Sequence, residues 1–223
     1  MSAEPAHLAH QFAAPEQQHE ASTLGMWVFL ATEVMIFGAL FTGYAAYRAE
    51  YAASFAEASR HLNIKIGAIN TVVLLSSSLT MALSVWAARM GQRKMLVNCL
   101  ILTALLGTLF MILKAVEYYD DYVNDLVPRL AFQPEAEQWK SPGVSSKEVE
   151  LFLMFYYVMT GLHALHLTIG IAVMAVIAYL AWRGAYSPAY YTPVEVAGLY
   201  WHFVDIIWIF LLPLLYLIGT GHA

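Results

Sequence analysis

A chain of 223 residues that is 60% hydrophobic and only 12% charged has too little polar surface for an ordinary soluble domain. Its mean hydropathy is +0.59 and its formal net charge is −5, so lipid is the expected solvent and no nucleic-acid partner is expected. Apolar runs of about 20 residues cross a hydrocarbon core. Such runs predict an all-α, polytopic membrane protein, a bundle of five transmembrane helices.

Residues 1–23 read as a polar N-terminal tail, with His7, His10 and His19 expected on a disordered surface. The tail has no Lys or Arg, and the apolar run after it is too long for a signal-peptide core, so the first helix is expected to stay. That helix is placed at residues 24–47. It carries Glu33 within Trp27-Val28-Phe29-Leu30-Ala31-Thr32-Glu33-Val34-Met35-Ile36-Phe37, where its helical neighbours Phe29, Leu30, Ile36 and Phe37 are apolar. Such a setting favours the protonated, hydrogen-bond-donating form of a carboxylic acid. Two roles stay open for Glu33: a structural or lipid-contacting group, and an influence on proton traffic.

The second helix, residues 66–88, repeats Asn70, Ser77 and Ser84 along one stripe, a pattern that lets membrane helices pack closely and share hydrogen bonds. The third, residues 95–116, contains Cys99. It is the only cysteine, which excludes intrachain disulfides and thiolate metal clusters. Near the end of this helix Lys114 and Glu117 can meet across one turn, and the expected result is an interfacial ion pair whose lysine snorkels toward water.

Residues 117–150 read as an acidic loop, with Asp120, Asp121, Asp125, Glu135, Glu137, Glu148 and Glu150 against Arg129, Lys140 and Lys147. Such a loop is either simply solvated or a docking site for a basic partner. The fourth helix, residues 151–182, is the longest and is expected to project beyond the membrane. His163, His166 and Gly170 fall on one of its faces.

In the fifth helix, residues 197–219, Gly198, His202 and Asp205 form a stripe, and Pro213 removes a backbone hydrogen bond and favours a bend. An acidic side chain at the bilayer centre costs about 2.5 to 3.5 kcal/mol, so Asp205 must be paired, protonated or turned inward. Trp27, Trp182 and Trp201, near the predicted ends, suit an interfacial aromatic belt. No connection is long enough for a second folded unit, so residues 24–223 read as a single transmembrane domain. Arg89, Arg93, Lys94 and Arg183 lie on the N-terminal side against Arg48, Arg60 and Lys65 on the other. The compact Arg89 to Lys94 turn places the N-terminus in the cytoplasm and the C-terminus outside.

Histidines inside a bundle raise the question of haem or copper. His163 and His166 lie one turn apart, which could place both on one metal but does not bracket a haem. The sequence has neither a c-type attachment motif nor a cysteine pair. His163, His166, His202, Asp205 and Trp201 are therefore read as a polar network of the bundle or as lipid-headgroup contacts. No metal ligand and no catalytic residue is expected. A proton channel built on Glu33, Lys114 and Asp205 lacks the broken helices or internal repeat of a transporter.

Five motifs in order resemble subunit III of the haem-copper oxidases: Glu33-Val34-Met35-Ile36-Phe37, Asn70-Thr71-Val72-Val73-Leu74-Leu75-Ser76-Ser77, Lys114-Ala115-Val116-Glu117-Tyr118, Gly161-Leu162-His163-Ala164-Leu165-His166, and Tyr200-Trp201-His202-Phe203-Val204-Asp205-Ile206-Ile207-Trp208. Together they cover nearly the whole membrane portion. The resemblance implies a chain that binds no cofactor itself and packs beside catalytic subunit I and subunit II, where haem and copper reside. That assembly, a cytochrome c oxidase, reduces oxygen to water and pumps protons. Membrane phospholipid in a cleft is implied as a further ligand, with cytochrome c or a larger respiratory supercomplex as wider partners, in a bacterial inner membrane. Glu33 matches the family's membrane-embedded glutamate toward the proton-entry side and so implies support of proton uptake. His163, His166, His202 and Asp205 match positions assigned to the bundle and lipid cleft.

One departure stands out. Many subunits III have seven helices, and this chain matches from the third onward, so another subunit would supply the missing cleft wall. Five-helix forms occur among bacterial oxidases, including quinol-oxidising ones, and among proteins associated with nitric oxide reductase. The Glu33 motif leans toward the cytochrome c oxidase branch. A quinol oxidase subunit III and a nitric oxide reductase accessory subunit are the alternatives, followed by a haem-carrying electron-transfer subunit.

Overall fold

A computed structural model describes residues 9, 11–124, 126–128 and 143–220. Among them lie six α-helices and no strand: α1 (Pro15–Glu50), α2 (Ala52–Arg60), α3 (Ile64–Arg89), α4 (Arg93–Val123), α5 (Ser146–Arg183) and α6 (Thr192–Tyr216), with a closing 3-10 turn at Ile218–Thr220. Five of them, all but α2, are long and apolar enough to cross a membrane.

Helix ends follow backbone chemistry rather than hydropathy, and this corrects the expected boundaries. α1 begins at Pro15, whose fixed φ and missing N–H suit a first helical turn, so residues 15–23 are helical and not a free tail. α3 begins where the Asn63 side chain accepts from the amides of Lys65 and Ile66 at 3.1 and 3.3 Å. α5 stops at Gly184, in the left-handed region at φ 83°, where the Ala185 amide closes back on the Leu180 carbonyl at 3.0 Å.

The acidic 117–150 segment is likewise mostly helix at its ends. Glu117, Asp120 and Asp121 lie on α4, while Lys147, Glu148 and Glu150 lie on α5. Asp125, Arg129, Glu135, Glu137 and Lys140 fall outside the described residues, as do His7 and His10. The short helix α2 had no counterpart among the expected elements. It buries Ser54, Phe55, Ala58 and Ser59 against α5 and the closing turn.

Successive spans run antiparallel, and α6 is the most buried of them. It packs on α3, α5 and α1, and 56% of its most apolar window is buried, against 11% for α1. One cluster of buried side chains runs through all six helices. Trp201 is 1% exposed and therefore sits inside the bundle and not in the aromatic belt foreseen for it. A Cβ added at Gly107 of α4 would meet the Trp201 ring at 2.6 Å, and one at Gly170 of α5 would meet it at 3.0 Å. Those two glycines let three helices close on one indole. Trp27 and Trp182 face outward, as a belt requires.

Candidate functional site

The first polar site joins α1 to α5. Glu33 Oε2 lies 2.8 Å from His166 Nε2, with both side chains 12% exposed. His166 Nδ1 faces the Leu162 carbonyl at 2.8 Å. A carbonyl only accepts, so Nδ1 carries a hydrogen, and one further proton is shared between Nε2 and the carboxyl group. The pair is thus either a glutamic acid donating to a neutral imidazole or a glutamate accepting from an imidazolium. The Phe37 ring covers His166 at 5.4 Å, and Tyr200 of α6 donates to the His166 carbonyl at 2.9 Å. Glu33 therefore has a polar partner, which its apolar helical neighbours did not announce.

A second site runs along the α3–α6 seam. Trp201 Nε1 donates to Ser77 at 3.1 Å, Trp208 Nε1 donates to Thr71 at 3.0 Å, and His202 Nδ1 lies 2.7 Å from Ser78 Oγ. Asp205 is 4% exposed and also turns to Ser78, while its Oδ1 has no partner among the described residues. His202 and Asp205 thus both meet Ser78 of α3, and among the described residues no direct hydrogen bond joins the two. The stripe of Asn70, Ser77 and Ser84 is fully buried. Ser77 and Ser84 donate back to the Leu74 and Met81 carbonyls at 2.8 and 2.7 Å. Asn70 makes no side-chain hydrogen bond to a described residue.

His163 and His166 meet different neighbours. Three residues along a helix is about 300° of rotation, a net offset of about 60°, and here the two rings turn to different helices. His166 reaches α1, whereas His163 is buried between Phe110 at 5.6 Å and Trp208 at 5.4 Å with neither ring nitrogen hydrogen-bonded to a described residue. An unsatisfied buried group costs about 1–3 kcal/mol. Among the described residues no three His, Cys, Asp or Glu side chains converge.

A third site overturns the snorkelling lysine. Lys114 and Glu117 are each 2% exposed, and their ion pair at 2.9 Å is enclosed by α5 and α6. Lys114 Nζ also donates to Tyr156 at 3.0 Å and Tyr216 at 2.6 Å, and Asp121 joins through Tyr156 and Tyr157 at 3.2 and 3.3 Å. Tyr156, Tyr157, Tyr216 and Asp121 were missed as site residues. A readable signal existed: a lysine cannot stay charged in an apolar span without acceptors, and tyrosines in the neighbouring spans are the available ones.

On the N-terminal face, Arg89 pairs with Glu195 at 2.5 Å and lies 5.5 Å from the centre of the Tyr191 ring. His19, expected on a disordered surface, is held on α1 by Thr192 at 3.1 Å and lies 3.8 Å from Glu195. Between α4 and α5 an outward-facing apolar groove of about 520 Å³ is lined by Ile101, Leu105, Ala178, Tyr179 and Trp182.

The sequence matches the family described as cytochrome c oxidase subunit III over residues 9–124 and 135–220. The chain belongs to the cytochrome c oxidase subunit III family. Cytochrome c oxidase subunit 3 of Corynebacterium diphtheriae is 29% identical over 198 residues, 88% of this chain and 87% of that protein. Its counterpart in Synechocystis sp. is 32% identical over 198 residues, 87% of this chain and 74% of that protein. Quinol oxidase subunit 3 of Bacillus spizizenii is 28% identical over 221 residues, 96% of this chain and 98% of that protein. As a haem-copper oxidase subunit III, the chain is a multi-pass membrane protein of the respiratory chain. In this subunit III the burial of His163, Trp201 and Asp205 leaves those side chains to the bundle, while Glu33 and His166 stand at its partly exposed rim.

Proposed function

We propose that this chain is the non-catalytic subunit III of a bacterial terminal oxidase that takes electrons from cytochrome c, reduces oxygen to water and pumps protons. The family match across nearly the whole described chain carries this reading. Haem and copper belong to the neighbouring subunits I and II, and this chain stabilises the catalytic subunit. The Glu33–His166 pair, with one shareable proton at the rim of the bundle, is the element suited to supporting proton uptake. The α4–α5 groove is apolar and ends beside Arg183, which donates to Tyr179 at 3.0 Å, so it suits a phospholipid chain with its headgroup at the arginine. The Arg89 to Lys94 turn favours a cytoplasmic N-terminus and a periplasmic C-terminus.

A quinol-oxidising assembly is the second reading, favoured by the near-complete overlap with the Bacillus spizizenii quinol oxidase subunit. Capturing this subunit from gently solubilised membranes tests the assignment. The expected neighbours are a haem- and copper-bearing catalytic subunit and subunit II. Recovery of the subunit alone, or with a nitric oxide reductase, rejects it. Supplying the captured complex with reduced cytochrome c or with a quinol then separates the two donors.

A further inference from the structure

Nothing in the proposed function uses the buried cluster where the last turns of α4 meet α5 and the end of α6. Its hydrogen bonds can be assigned one at a time. Lys114 Nζ has three partners, Glu117 Oε2 at 2.9 Å, Tyr156 at 3.0 Å and Tyr216 at 2.6 Å, which engage all three hydrogens of an ammonium group. An ammonium only donates, so both phenol oxygens accept from it and spend their own hydrogens elsewhere. Tyr216 donates to Glu117 Oε1 at 2.6 Å, and Tyr156 donates to Asp121 Oδ2 at 3.2 Å. Tyr157 gives the same Oδ2 a second hydrogen bond at 3.3 Å.

Glu117 thus accepts on both oxygens, as a carboxylate does, and its charge cancels that of Lys114. The rings of Tyr118, Tyr156, Trp208 and Tyr216 surround the ammonium at 5.2, 4.6, 5.5 and 5.4 Å, which holds the positive charge in place. Asp121 is left as a surplus carboxylate, 6% exposed, with both phenols on Oδ2 and no described partner on Oδ1. The groups facing it are Lys114, Glu117 and Tyr118 from α4, Tyr156 and Tyr157 from α5, and Tyr216 from α6 beyond the ammonium.

We propose that Asp121 is a proton-binding site, which takes one proton from hydronium onto Oδ1, releases water, and renders the cluster neutral. Oδ2 keeps its two phenol hydrogen bonds in both states. Every bond in the chain from Lys114 through Tyr156 points toward Asp121, so the site stores a proton without conducting it inward. It lies on the membrane face opposite the start of α1. The assignment does not depend on which donor the oxidase uses.

Infrared difference spectra of the purified membrane complex, recorded across its stable pH range with aspartate labelled at the carboxyl carbon, test the site. The expected result is an aspartic acid carbonyl band that grows as pH falls, shifts in heavy water and is missing from D121N. Absence of any pH-dependent aspartic acid band, or identical difference spectra for the wild-type and D121N complexes, overturns the proposal. Should D121N fail to assemble, Y157F removes only one of the two donors to Oδ2. The band should then persist and move to higher frequency, and an unmoved band overturns the assignment.

Discussion

At the scale of single residues, the polar groups of this protein are sorted by what reaches them from other helices. Lys114 is one case. Removing it leaves Glu117 buried with one phenol and no cation, and breaking a buried pair in this way costs about 3–5 kcal/mol. K114M should therefore unfold at markedly lower denaturant or temperature than wild type in detergent. The double variant K114M/E117L, which removes both charges, should recover part of the loss, and circular dichroism melts would read the difference. Glu33 is a second case. In Glu33→Ala, oxygen uptake by the intact complex should begin at near-normal rate and then decay after fewer turnovers or with slower proton uptake. Because Glu33 and His166 hold one proton between them, H166A should reproduce that phenotype and E33A/H166A should be no worse than either single change. An oxygen-electrode trace of all three decides this; additive losses would separate the two residues. The Glu33–His166 contact was illegible in the sequence because the partners are 133 positions apart. The same reason hid which tyrosines meet Lys114, since Tyr156 and Tyr216 belong to other helices, whereas its need for acceptors and its meeting with Glu117 across one turn were readable.

At the scale of elements, Trp201 is seated closely against Gly107 and Gly170. A methyl group at Gly107 would sit 2.6 Å from the indole, so G107A should cost roughly 1–3 kcal/mol through overpacking. The smaller ring in W201F should restore part of that loss in the G107A background, read as a thermal midpoint of the solubilised subunit. The five spans were legible because apolar run length is a local property of the chain. Their ends were not, since hydropathy reports where lipid begins, while Pro15, Asn63 and Gly184 decide where helix begins or stops. The helix α2 was invisible for a related reason. Nine residues of mixed polarity show a face only once α5 and the closing turn are there to cover it.

At the scale of the whole molecule, α1 and α6 are opposites. α1 leaves Leu24, Trp27, Val34, Met35 and Ile36 exposed on a helix with three buried side chains, Leu30, Phe37 and Tyr44, whereas α6 is buried along most of its length. Hydrogen exchange on the isolated subunit should accordingly be faster in α1 than in α6, and the assembled oxidase should slow α1 far more than α6. Equal protection of α1 before and after assembly would show that its outward face meets only lipid.

The position of α6 also has a consequence for how the chain is made. α6 is synthesised after α1 to α5, so until it emerges those helices stand in the bilayer without the span that packs on α1, α3 and α5. Until residues 192–216 leave the ribosome, Ser77 and Ser78 lack Trp201 and His202, and Lys114 lacks Tyr216. A nascent chain halted before residue 192 therefore presents an open polar flank to the membrane insertion machinery, and the quality of the finished fold rests on the arrival of α6.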